Sequence, residues 1–140
     1  DHVGSVVQDR TVYEDAEIVA RNLYEQGHMS DRDYDAYRRL YRAVSSFLPP
    51  PDLIVYLRGS VATLTEHIVR RGNEYERTIA PAYLEQLNNL YEAWISDWTA
   101  CPVVCIEMDG IDFLRNRADL DAIIQAIRDT TAARTPESSE

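Results

Sequence analysis

The residues of this chain best suited to chemistry are Asp9-Arg10-Thr11, which bring an acid, a guanidinium and a hydroxyl to the start of a helical pattern. Residues 4–8, just before them, form a small apolar run of the kind seen in buried parallel strands. Open α/β sheets hold ligands beyond the carboxyl ends of such strands. The same Asp-Arg pair also serves simply as a helix cap and an ion pair, so both readings stand at this point. A second concentration of cations lies at 70–78, a polar, aperiodic stretch that contains Arg70, Arg71 and Arg77. It reads either as a solvated connection or as a lid whose guanidinium groups close over a phosphate, because Arg offers that anion planar, permanently charged donors.

Composition narrows the classes. With 140 residues and 45% hydrophobic content the chain can bury one core and fits a single domain. A formal net charge of −10 argues against binding a nucleic-acid backbone. All 14 basic residues are Arg, so a Gly-x-x-x-x-Gly-Lys-Ser/Thr phosphate loop cannot occur within this sequence. Cys101 and Cys105 have no His nearby and match no standard zinc spacing; they are expected to be small core residues in a reducing compartment. No metal ligands are assigned. The absence of a membrane-length apolar run and of a signal-peptide pattern leads us to expect a cytoplasmic protein with neither membrane nor nucleic acid as a partner.

The elements that must position these residues follow from periodicity and punctuation. A helix is predicted over 12–26, with Ala16, Val19, Ala20 and Leu23 as its apolar face, Glu14, Asp15 and Glu17 suited to the dipole of its first turn, and Gly27 as its stop. Ser30 caps a second helix, whose stripe of Tyr34, Tyr37, Tyr41 and Val44 is expected in the core. Three prolines lead into a strand at 52–57 that is apolar throughout, which predicts burial on both faces. Ser60 caps the next helix and Gly72 ends it; Pro81 opens a long helix to about position 99, with a narrow stripe of Leu84, Leu87, Tyr91, Trp94 and Trp98 that should face another helix. A short strand at 102–106, a loop to Phe113, a helix over 118–130 and a polar tail complete the chain. This order predicts a helix-rich α/β fold, part of a parallel sheet flanked by helices, with residues 1–132 as one domain portion and 133–140 as tail.

The run Asp9-Arg10-Thr11-Val12-Tyr13-Glu14-Asp15-Ala16-Glu17 closely resembles the Asp/Glu-Arg-Ser segment of the deoxynucleoside kinases, in particular the bacterial deoxyadenosine and deoxyguanosine kinases. The resemblance continues through Pro50-Pro51-Asp52-Leu53-Ile54-Val55-Tyr56-Leu57, the Arg70-Arg71-Gly72 turn with Tyr75-Glu76, and the helix that begins at Pro81. It implies a partial P-loop-kinase-like fold and transfer of the ATP γ-phosphoryl group to the 5′-hydroxyl of a deoxynucleoside in nucleotide salvage. It further implies that Arg10 lies beside the 5′-hydroxyl and the phosphates, that Asp9 orients Arg10 near the magnesium region, and that Arg71 meets the transferring phosphoryl. Asp15 would read the base edge, Val19 would pack on the base, and Glu76 would bond the sugar 3′-hydroxyl. His67, Arg70, Arg71, Asp112 and Phe113 fall where the family binds ATP.

Several departures accompany the likeness. Thr11 replaces the usual Ser; His67 and Asn73 stand where the family commonly has Arg. The family's phosphate loop, first strand, general-base Glu and most Mg2+ ligands would precede Asp1, so the expectation is a C-terminal portion that is inactive by itself. The family also implies a homodimer through the helices at 12–26 and 81–99. Two other readings compete: a thymidylate-kinase-like nucleoside monophosphate kinase, and a non-catalytic dimerisation remnant.

Overall fold

Two strands and five helices are defined in the computed structural model, which describes residues 4–72 and 79–133. Helix α1 spans 12–25 and is made of three consecutive pieces: an α-helical turn Val12–Glu14, a π-helical segment Asp15–Ala20 and an α-helix Arg21–Glu25. Gly27, at φ 75°, supplies the left-handed residue that lets the chain leave it. Helix α2, Asp31–Ser45, starts where the Ser30 hydroxyl accepts the Asp33 N–H. Strand β1 is Ile54–Arg58 and helix α3 is Val61–Arg71, capped by Ser60 and ended by Gly72 in the left-handed region. Helix α4, Pro81–Asp97, carries its proline in the first turn, where no N–H is needed. Strand β2 is Val103–Glu107 and helix α5 is Arg117–Ala132.

The sheet is parallel, β1 beside β2, with Tyr56 opposite Cys105 and Leu57 opposite Ile106. Helix α4 covers the face that carries Tyr56 and Arg58. The Tyr56 hydroxyl donates to Glu92 Oε1 at 3.0 Å, while Arg58 forks onto both Glu92 oxygens at 2.7 and 2.9 Å and reaches Glu107 at 3.0 Å. Helix α5 packs against β2 and α1 packs across α4. Ile18, the most deeply buried large side chain, sits in the π-helical segment with Ala16 and Ala20.

Several local expectations are corrected. Residues 4–8 form no strand: they pair with no described strand, and Val6 and Val7 are almost wholly exposed. An apolar run becomes a strand only where a ladder partner accepts its backbone. The buried side of α1 is Ala16, Ile18, Ala20 and Asn22 rather than the face through Val19 and Leu23, because the π-helical turns rotate the register that an ideal 3.6-residue period assumes. Helix α2 buries none of its residues, so its tyrosine stripe is not core; Tyr34 instead stacks on Tyr24 with centroids 4.3 Å apart. Strand β1 is covered on one face only, leaving Val55 and Leu57 open. Cys101 is buried as expected, but Cys105 is exposed. The aromatic stripe of α4 faces a helix of its own chain: Trp98 meets the Tyr13 ring edge-on at 5.1 Å.

Candidate functional site

Two clusters gather the residues singled out by sequence. The first is the turn into α1. Arg10 adopts φ 63°, the only described non-glycine residue in the left-handed region, which costs an L-residue roughly 1–2 kcal/mol. Such strain persists where neighbouring contacts hold it, and it concentrates at functional sites. Here the holding contacts begin one residue on. The Thr11 N–H donates to Glu14 Oε2 at 3.1 Å and the Glu14 N–H to the Thr11 hydroxyl at 3.5 Å, forming a reciprocal capping box. The other Glu14 oxygen accepts the Tyr91 hydroxyl of α4 at 2.9 Å. Burial first, then this bond to Glu14, pushes the Tyr91 phenol far above its ordinary range, while the charge of Arg10 pulls it back and that of Asp9 adds to the rise.

Asp9, Arg10, Asp15 and Val19 are all exposed, and Asp15, Val19 and Leu23 share the open side of α1. A carboxylate followed by an apolar surface suits a planar, hydrogen-bonding ligand lying along the helix. The Thr11 hydroxyl is the side-chain acceptor that closes this cap.

The second cluster is a half-open cavity of about 250 Å³ between α3 and the loop after β2, lined by Thr63, Glu66, His67, Arg70, Met108 and Asp112, among others. Arg70 donates to Glu66 at 2.7 Å and stands 3.9 Å from Asp112, so its charge is balanced on two sides. The Asp112 carboxylate is also approached by Arg115 at 3.8 Å. The loop is pinned at its base, where Asp109 accepts the Ser60 N–H at 2.9 Å; hydroxyl and backbone donors at Thr63 and Ser60 hold the Asp109 carboxyl below its usual range. The structure thus brings His67, Arg70 and Asp112 together. Phe113 and Arg71 do not line this cavity, and Phe113 is half-buried just beyond it. Glu76 and Asn73 lie outside the described residues.

Sequence reasoning missed Tyr91 as part of the first cluster and Glu66 and Thr63 as part of the second. The Thr-x-x-Glu spacing of Thr11 and Glu14 was a legible signature of the cap; nothing local joins Glu14 to Tyr91, 77 residues away.

The sequence is similar to those of known proteins. The family model described as deoxynucleoside kinase matches residues 2–132. A deoxyadenosine/deoxycytidine kinase of Bacillus subtilis is 35% identical over 126 residues, which is 89% of this chain and 58% of the relative. A deoxyadenosine kinase of Dictyostelium discoideum is 40% identical over 91 residues, 65% of this chain and 37% of the relative. A deoxyguanosine kinase of Bacillus subtilis is 28% identical over 122 residues, covering 84% and 59%. The chain spans less than three fifths of the length of these relatives. It belongs to the deoxynucleoside kinase family.

Proposed function

We propose that the full-length product of the gene encoding this chain transfers the γ-phosphoryl group of ATP to the 5′-hydroxyl of a deoxynucleoside, with deoxyadenosine the first substrate to test. The observation that carries this reading is the strained, left-handed Arg10 at the mouth of α1, fixed by the Thr11–Glu14 cap directly before the open Asp15–Val19 surface. Relatives named for deoxyadenosine support the choice of substrate.

In this reading Arg10 meets the 5′-oxygen and the phosphates, and Asp9 orients it. Asp15 bonds the base edge, Val19 packs on the base, and Glu76 holds the 3′-hydroxyl. Phosphoryl transfer spreads negative charge over the equatorial oxygens, so the protein's part is positioned cations rather than covalent chemistry. Arg71 serves there, while His67, Arg70, Asp112 and Phe113 serve ATP. The donor set of the cavity fits an anionic nucleotide: the Arg70 guanidinium, oriented by Glu66 and approached by Asp112, and the His67 imidazole. Among the described residues no three His, Cys, Asp or Glu side chains are grouped to hold a metal ion. In this reading ATP is used with Mg2+, whose ligands the family likeness puts largely upstream of these residues. No described helix is long and apolar enough to cross a membrane. A cytoplasmic location belongs to the same proposal.

This chain contains no Lys, and a phosphate loop of the Walker type needs one. Incubated alone with MgATP and deoxyadenosine, the 140-residue chain is expected to give no product, whereas the full-length product is expected to turn over. Absence of phosphorylation of any deoxynucleoside by the full-length product overturns the reading. A homodimer through the helices at 12–26 and 81–99 belongs to the same proposal, supported by the apolar surface left open at Leu23 and Tyr83; a monomer mass at all concentrations in sedimentation refutes it.

A further inference from the structure

We infer that Tyr91, on helix α4, is a positioning residue for Arg10, acting through the Glu14 carboxylate and the backbone N–H of Thr11. The inference rests on the reading of Arg10 given above and adds residues that the family likeness does not assign.

Three observations converge on it. The path is continuous: the Tyr91 hydroxyl donates to one Glu14 oxygen at 2.9 Å, and the other Glu14 oxygen accepts the N–H of Thr11, the residue bonded to Arg10, at 3.1 Å. Both carboxylate oxygens are thus engaged, which fixes the plane of the carboxylate and hence the direction of the Thr11 N–H. The backbone that this N–H belongs to is strained at the preceding residue, and a left-handed Arg needs its surroundings to over-determine it. Finally, Tyr91 is itself rigid. Its ring stacks on Tyr56 at 6.0 Å and 11°, and the edge of the Trp94 ring meets it at 6.3 Å. Tyr56 and the adjacent Glu92 anchor α4 to the sheet. The strand, the helix and the turn are therefore joined in a single chain of contacts that ends at Arg10. Without the Tyr91 hydroxyl, Glu14 keeps the local cap but loses its tie to the rest of the fold, and the turn is free to relax toward ordinary backbone angles.

The inference separates positioning from plain stability. In the full-length product, Tyr91→Phe removes one oxygen and keeps the ring. It is expected to lower kcat about tenfold, the worth of one hydrogen bond to a charged acceptor, while KM for the nucleoside moves less than about twofold. Glu14→Ala is expected to lower kcat at least as far, and adding Tyr91→Phe to it is expected to change nothing more, since both act through one path. Tyr56→Phe is the matched control. It deletes a hydroxyl bonded to another half-buried carboxylate in the same contact chain, off the path to Arg10, and is expected to lower Tm with kcat preserved. An independent readout is hydrogen exchange at the Thr11 amide, which is expected to speed up in Tyr91→Phe and not in Tyr56→Phe. Unchanged kcat in Tyr91→Phe with Thr11 still protected overturns the inference; so do equal kcat losses in the Tyr91 and Tyr56 variants, or additive losses from Tyr91 and Glu14. If the wild-type protein phosphorylates no deoxynucleoside, the functional reading fails separately, and Thr11 exchange alone then decides whether Tyr91 holds the turn.

Discussion

The two clusters are built on opposite plans. At the mouth of α1, a local cap is tied to a distant helix: Glu14 bonds Thr11 within the turn and is joined to Tyr91 across 77 residues of sequence, and the turn carries backbone strain. Around the α3 cavity, the ion pairs are short-range or loose. Arg70 pairs with Glu66 one helical turn away and approaches Asp112 only at 3.9 Å. Preorganisation matters most where charge develops during reaction, and adaptability is tolerable where a ligand is merely held. Under the proposed function, the contrast suits a rigid turn at the reacting atoms and a more pliable cavity at the nucleotide donor.

The sharpest way to break this comparison is Arg10→Ala in the full-length product. Steady-state kinetics are expected to show kcat down by about two to three orders of magnitude, with Tm nearly unchanged because Ala at φ 63° carries the same backbone strain as Arg. A loss confined to KM would move Arg10 to the binding side. Next comes Arg70→Ala, for which roughly a tenfold rise in KM for ATP is expected with kcat largely kept, since a partly solvated, doubly balanced cation contributes less than a preorganised one. Thr11→Ala removes the cap hydroxyl and is expected to cost about 1 kcal/mol, or roughly 4 °C in Tm by calorimetry. Unlike Arg70→Ala, it should lower Tm and kcat together, because cap and turn are one structure.

The smallest effect is a pH dependence. Arg58 above all holds the Glu92 carboxyl below its ordinary value of 4.5; burial pushes back upward, and the Tyr56 hydroxyl adds a smaller downward pull. A depressed folded-state value means the contribution is complete above 4.5 and is lost as pH falls through the lower folded value. Glu92→Gln should therefore destabilise the protein at neutral pH and flatten the acid limb of its Tm profile. An unchanged acid limb would show that the network at Glu92 does not anchor α4.

How much of this was legible follows from where the signals sit. Ser30, Ser60, Pro81, Gly27 and Gly72 mark element ends through backbone chemistry that needs only neighbours, and all five fall where the sequence places them. The parallel pairing of the 54–58 and 103–107 strands follows from their apolar runs. Burial was harder to read, because it depends on what packs from a distance. Val6 and Val7 look like strand residues yet meet no partner, Cys105 and Leu57 lie on faces that only one strand's helix covers, and the α2 stripe is amphipathic without being buried. The π-helical segment has no sequence signature at all, so the buried face of α1 shifted from Val19 and Leu23 to Ile18 and Asn22. For the proposed site, Arg10 and Asp15 are candidates from residue types and likeness, whereas the contact of Tyr91 with Glu14 is visible only once α1 and α4 lie side by side.

The ladder of β1 and β2 has a consequence for handling the 140-residue chain. Two strands leave two outer edges, and no described residue satisfies the amide and carbonyl groups along either one. Such an edge is a template for any extended backbone, including that of a neighbouring molecule. Concentrated solutions of the isolated chain should therefore scatter light increasingly with time, and a charged side chain introduced at Val55 should slow that growth.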